Sequence, residues 1–260
     1  MRRPETDEGT TALVVAHPGH ELHLHGWLER TRPWVFILTD GSGSAGTSRL
    51  ESSRRVLEAA RARPTPLFGV CSDRELYERI LRRDVAFFRD LVDRLAESLL
   101  ESGCRVVAGD AAEGYNTGHD LCRLLLDAAV ARVRRTAAID NLSCPVAGTA
   151  PKTPKTEETE EPAFRSWLDD AAFERKLLAA RSYPEMHQEV DAALTQEGIE
   201  SFRCECLYRV EGRTVLPGAD EKPYYETFGE RRVAEGRFRE VVRYRQHIKP
   251  LEEALRDDAV

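Results

Sequence analysis

Long apolar runs are missing from this chain. Stretches such as Ala12–Ala16 and Trp34–Leu38 stop after five residues, against the roughly 20 that a membrane helix needs. No membrane partner is expected. A basic excess is missing too: 38 Lys and Arg face 45 Asp and Glu, for a net charge of -7. That balance argues against a nucleic-acid partner. The six cysteines (71, 104, 122, 144, 204 and 206) form no C-x-x-C pair. They read as reduced, mostly buried thiols of a cytoplasmic protein, with Cys204 and Cys206 able to share one strand face. No G-x-G-x-x-G follows the first apolar run, where His17 and Pro18 stand in place of glycines, so a dinucleotide site is disfavoured. The polar start, MRRPETDEGT, precedes too short an apolar run for a signal peptide. Residues 1–10 are expected to be a disordered tail.

What is present is an alternation. Ala12–Ala16, with its β-branched Val14 and Val15, reads as a strand buried on both faces. Pro18-Gly19 stops it, and a helix is expected from His20. Trp34–Leu38 is a second buried strand, ending in the small-residue loop Thr39–Gly46. Ser48–Arg63 reads as a helix, Leu67–Cys71 as a strand, and Arg79–Ser102 as one long helix capped by Gly103. Cys104–Ala108 is the next strand and about Asp120–Arg134 the next helix. Such strand–helix alternation predicts an α/β fold, a mostly parallel sheet flanked by helices. The metal-site core is expected over residues 11–149. PKTPKTEETEEP sits within an exposed loop at 150–162. Residues 163–260 are expected to add a smaller C-terminal α+β extension to the same domain. There Phe164–Arg181 and Met186–Glu197 read as helices, and Phe202–Val210 pairs with Thr214–Leu216 as a hairpin. Tyr225–Leu255 reads as a charged helix broken near Pro250. Its arginine-rich face, interleaved with Glu, reads as solvated or as a contact within a homo-oligomer rather than as an anion site.

The chemistry gathers at strand ends. His17 and His20 lie in the turn after the first strand, and His119 lies in the turn before the Asp120 helix. In open α/β sheets that edge binds ligands. Three neutral imidazoles with one open position suit catalytic Zn2+. His23 and His25, just beyond, read as surface residues.

Ala16-His17-Pro18-Gly19-His20-Glu21 resembles the A-H-P-D-D-E signature of the PIG-L/LmbE-like zinc-dependent N-acetylglucosaminyl deacetylases. The order of strand, signature, helix, strand, Thr39-Asp40-Gly41, then Arg49 and Glu51, is similar as well. The resemblance implies a Rossmann-like fold and a deacetylase, a hydrolase acting through a metal-bound water. Its substrate would be an N-acylated amino sugar or a related small polar metabolite. It carries the metal ligands onto His17, His20 (where the family has Asp) and His119. Asn116 falls where the family has a His that steadies the oxyanion. The family's general base falls on Gly19, which has no side chain. Asp110 and Glu113 are the candidates to replace it, while Glu21 and Asp120 read as orienting groups. Arg49, Asp40 and Ser42 are expected to contact substrate. The missing base also raises an alternative: a catalytically inactive PIG-L-like protein that binds a metal and a sugar or protein partner without turnover.

Overall fold

The computed structural model describes residues 10–43, 46–146, 161–212, 214–216 and 221–257. All of the expected tail except Thr10, and most of the expected 150–162 loop, lie outside them. Strand β1 (Thr11–Val15) is buried along its whole length and sits between β2 (Trp34–Thr39) and β4 (Val106–Asp110), parallel to both. Its alternating side chains explain why it is apolar throughout. Ala12 and Val14 join a core layer with Phe88, Leu95, Leu121 and Leu125, while Leu13 and Val15 join the opposite layer with Leu24, Trp27 and Leu57. With β3 (Arg63–Cys71), β5 (Asp140–Cys144), β6 (Phe164–Trp167) and β7 (Cys204–Arg209), the strand order is β3-β2-β1-β4-β5-β7-β6. β1 to β5 are parallel, and β6 and β7 are antiparallel additions at one edge. The expected α/β class with a mostly parallel sheet is the one observed. The direction of winding reverses between β1 and β4, the position where such sheets open a crevice.

Helices α1 (His25–Thr31) and α2 (Leu50–Ala59) cover one face. α3 (Asp73–Arg82), α4 (Val85–Glu101) and α5 (Thr117–Val133) lie on the other. Gly109 lets α5 press close to β4: a Cβ there would stand 2.6 Å from both Leu126 Cδ2 and Val14 O. No helix among the described residues is long and apolar enough to cross a membrane.

Several local expectations are corrected. Arg79–Ser102 is not one helix: Arg83 adopts a left-handed φ of 53°, and Asp84 caps α4 by accepting from Phe87 N–H at 3.2 Å. Phe164–Arg181 begins as strand β6 and becomes helix α6 (Asp170–Arg181) only after Asp169, which accepts from Ala172 N–H at 2.8 Å. β7 therefore pairs with β6, upstream of it, while Thr214–Leu216 forms no strand and Leu216 enters the core. α7 is His187–Glu197. The last helix is interrupted earlier than Pro250: α8 (Tyr224–Ala234) stops two residues before Gly236, whose φ is 71°. After a π-helical turn at Tyr244–Ile248, α9 (Lys249–Asp257) starts with Pro250 in its first turn, where a missing N–H costs nothing. His25 is buried, not on the surface.

One buried ion pair fastens the C-terminal elements to the core. Glu205 on β7 accepts from Gly26 N–H and Trp27 N–H, both at 2.9 Å, and from Lys176 Nζ of α6 at 3.0 Å. Lys176 also reaches His23 O at 2.9 Å. Glu205→Ala is expected to cost about 3–5 kcal/mol, because it strands a buried ammonium and two helix-start N–H groups. Lys176→Met should cost less, since Glu205 keeps both backbone donors. Urea unfolding midpoints of the two variants decide the order.

Candidate functional site

β1 delivers its last residues to the crevice through Asp110, the last residue of β4. Ala16 N–H donates to Asp110 Oδ2 at 2.7 Å, and His20 Nδ1 meets the same oxygen at 2.9 Å. Between them, Gly19 takes a φ of 106°, closed to most side chains, and its N–H donates to Glu21 Oε2 at 2.7 Å. His119 enters from the first turn of α5, which Asn116 caps by accepting from Gly118 N–H at 2.7 Å.

The fold thus brings His17, His20 and His119 together. Their ring centroids stand 5.3 Å (His17 to His20), 5.3 Å (His17 to His119) and 4.5 Å (His20 to His119) apart. The His17 tautomer follows from its neighbours. Thr39 Oγ1 donates its hydrogen to Ala16 O at 3.1 Å, so at 2.8 Å from His17 Nδ1 it acts as acceptor. Asp73 Oδ1, 3.1 Å from the same nitrogen, reinforces this. His17 therefore carries its proton on Nδ1 and its lone pair on Nε2. That Nε2 is buried without a hydrogen-bond partner among the described residues, as are His119 Nδ1 and Asp110 Oδ1.

The charges agree with this picture. Burial works against ionisation of Asp110, but His20, His119 and the Ala16 N–H outweigh it and hold the carboxyl at about 2. Burial also works against protonation of His20, yet Asp110 raises its pKa above the usual value. Burial, followed by the field of His20, keeps His119 neutral. Buried polar atoms without partners are rare and point to a bound water or ion. Here they include two imidazole nitrogens and an ionised carboxylate oxygen, donors of the kind zinc takes. Among the described residues, however, no group of three His, Cys, Asp or Glu side chains is arranged to hold a metal ion.

The other sequence-derived candidates have definite surroundings. Glu113 is half-buried, and its Oε2 accepts from Val146 N–H at 3.2 Å. Asp40 Oδ1 accepts from Ser42 N–H at 3.0 Å and Asp73 N–H at 3.3 Å, shaping the loop that holds Ser42. Arg49 is held by Glu189 of α7 through two hydrogen bonds of 3.0 and 2.8 Å. Sequence reasoning missed Thr39 and Asp73 as partners of His17, although Asp73 begins the helix after a strand, the same kind of position that singled out His119. It also missed Met186, whose Sδ would lie 2.5 Å from a Cβ at Gly19. Glu21 is fully buried and accepts from Ser53 and Tyr183 hydroxyls, tying the turn to α2 and to the segment after α6.

Asp120 lies beside His119 but serves the backbone. Its Oδ1 accepts from Glu113 N–H and Gly114 N–H, both at 3.0 Å. Burial nevertheless pushes its pKa up from 3.8 to about 7. The folded state thus binds this proton more tightly than the unfolded one, and stability falls as pH rises from about 4 to about 7. Asp120→Asn keeps the acceptor and removes the buried charge. It is expected to exceed the parent's unfolding free energy by ~1 kcal/mol or more at pH ~8 and to lose that advantage near pH ~4. Urea unfolding at the two pH values checks the sign.

No protein-family model matches this chain, and no curated protein matches it by sequence. Solved structures do match by shape, two deacetylase structures among them. One is a triple mutant of a deacetylase of the teicoplanin biosynthetic pathway: TM-score 0.56, 11% identity, 78% of this chain and 99% of that one covered. The other is the zinc-inhibited form of the teicoplanin deacetylase Orf2: TM-score 0.50, 9% identity, 78% of this chain and 100% of that one covered. At such identities the likeness is one of architecture, and it agrees with the resemblance carried by Ala16–Glu21: the chain shares the fold of the teicoplanin deacetylases.

Proposed function

We propose that this protein is a zinc-dependent deacetylase that removes an acyl group from an N-acylated amino sugar or a related small polar metabolite. The observation that carries the proposal is the meeting of His17, His20 and His119 at the β1/β4 crevice, with two of their buried ring nitrogens unpartnered among the described residues. The deacetylase fold of the matching structures supports it. These three histidines would hold the metal. A bound zinc ion supplies a Lewis acid for the amide carbonyl and lowers the pKa of a water towards ~7.

The chain's own groups supply the rest. Asp110 Oδ1 is a buried carboxylate oxygen at the crevice without a hydrogen-bond partner among the described residues, whereas Glu113 accepts from Val146 N–H, so Asp110 is favoured over Glu113 to take the proton of the attacking water. A carboxylate held at about 2 is a weak base; it orients the water and passes the proton on to the departing amine. Asn116 spends its oxygen on the α5 cap, which leaves its amide N–H groups to steady the oxyanion. Arg49, Asp40 and Ser42 lie on the loop and helix start after β2, where a sugar hydroxyl or an anionic group would exchange with Glu189 on Arg49. A cytoplasmic setting goes with the unpaired thiols.

The second reading, binding without turnover, is favoured by Gly19. Its positive φ strains any side chain there, and the Met186 thioether would have to move aside for one, so the base that would otherwise act at this position is missing. Even Gly19→Ala is expected to lower stability by about 1–3 kcal/mol, readable by urea unfolding, with Met186→Ala restoring only the steric part.

Metal analysis separates the outcomes. Purified protein should carry about one metal ion per chain, and His20→Ala and His119→Ala should each bind it at least ~10-fold more weakly. Acetate release from a panel of N-acetyl amino sugars should stop with chelator and return with zinc. Metal retention by His20→Ala, or hydrolysis by metal-free protein, sinks the proposal. Bound metal with no acetate from any substrate leaves the binding protein in its place.

A further inference from the structure

Away from the crevice, β7 carries a second reactive arrangement. Cys204 and Cys206 stand on one face of the strand with their Sγ atoms 3.7 Å apart. Both are half-exposed, whereas Cys71, Cys104, Cys122 and Cys144 are buried. Opposite them on β6 are Trp167 and Arg165, both exposed, so this hairpin face is open to a small reagent. Burial pushes the Cys71 and Cys104 thiols up to about 12 and those of Cys122 and Cys144 well above their ordinary value, leaving them inert. Burial and the neighbouring Cys206 also raise Cys204, while Arg165 works the other way.

We infer that Cys204 and Cys206 form a reversible dithiol–disulfide site, oxidised by a hydroperoxide and coupled through Glu205 to the segment that carries His20. In the first step one thiolate sulfur attacks a peroxide oxygen. The O–O bond breaks, a sulfenic acid forms, and the other oxygen leaves as water or alcohol after taking a proton. In the second step the other sulfur attacks the sulfenic sulfur. The S–S bond forms, the S–O bond breaks, and hydroxide leaves as water with the thiol proton. Two thiols are oxidised by two electrons, and the peroxide is reduced.

The backbone makes this bond labile. Two residues along a strand are about 6.6–6.8 Å apart, at the upper end of the ~4.4–6.8 Å Cα separation that a disulfide tolerates. Closing it draws β7 into a pucker centred on Glu205. Strained, accessible disulfides are the easily reduced ones. Glu205 is the fully buried carboxylate that holds Gly26 N–H, Trp27 N–H and Lys176. Lys176 holds His23 O, three residues from His20. Puckering at Glu205 therefore loosens the anchor of the turn and of α1.

The test uses the whole protein. Under native conditions two thiols should react with an alkylating reagent, and after hydrogen peroxide none. The intact mass should fall by two hydrogens, localised to the peptide holding Cys204 and Cys206, and dithiothreitol should reverse it. Cys204→Ser and Cys206→Ser, conservative changes at half-exposed positions, should each abolish the hydrogen loss. Hydrogen exchange at the Gly26 and Trp27 amides should accelerate in the oxidised form. Oxygen addition without a cross-link, an intermolecular disulfide, or two thiols still alkylatable after peroxide would overturn the site. Unchanged exchange at Gly26 and Trp27 would overturn its coupling.

Discussion

The crevice depends on one carboxylate. Asp110 is almost wholly buried, and its Oδ2 joins the N–H of Ala16 to the ring of His20. A buried charge persists only where it is paired and hydrogen-bonded. This one is supported by the backbone donor that follows β1 and by an imidazole that it raises in pKa. The interaction fixes where the strand ends, which way the Pro18-Gly19 turn departs, and which nitrogen of His20 is engaged. Without it, the histidines after β1 and the histidine of α5 have no common reference point.

A similar device appears twice more. Asp73 and Thr39 hold His17 Nδ1, so that its other nitrogen faces the crevice beside Gly118. Glu21 holds the Gly19 N–H and draws Ser53 and Tyr183 onto the same turn. Asp110 ends a strand, Asp73 begins a helix and Glu21 lies in the turn after β1, and each spans elements far apart in sequence. Asp110 and Asp73 orient imidazoles, which is how ligand rings are commonly held, and Glu21 braces the turn between His17 and His20. Glu205 serves the same role for the C-terminal additions, and its position between two half-exposed cysteines makes that anchor accessible to redox chemistry.

The strands of the core were legible because burial on both faces demands uninterrupted apolar runs, as in Ala12–Ala16 and Trp34–Leu38. β5 was not, because DNLSC is half polar: Asn141 is buried there to receive the Arg123 guanidinium at 2.6 Å. The β6–β7 hairpin was misread for a related reason. A strand pair closed over more than 35 residues leaves no turn signature, whereas the nearer Thr214–Leu216 offered one. Helix breaks at Arg83 and Gly236 are set by backbone torsions that local periodicity does not record.

Sequence alone determined the layered α/β class and singled out His17, His20 and His119. Strand-end histidines stand out against apolar runs, and parallel sheets put their strand ends on one edge. Tertiary structure decided which acids support those rings, that Met186 fills the space beside Gly19, and that Arg49 is engaged by Glu189. Those contacts join residues from 56 to 167 positions apart. They depend on distances and dihedral angles between elements, and no local pattern of residue types encodes them.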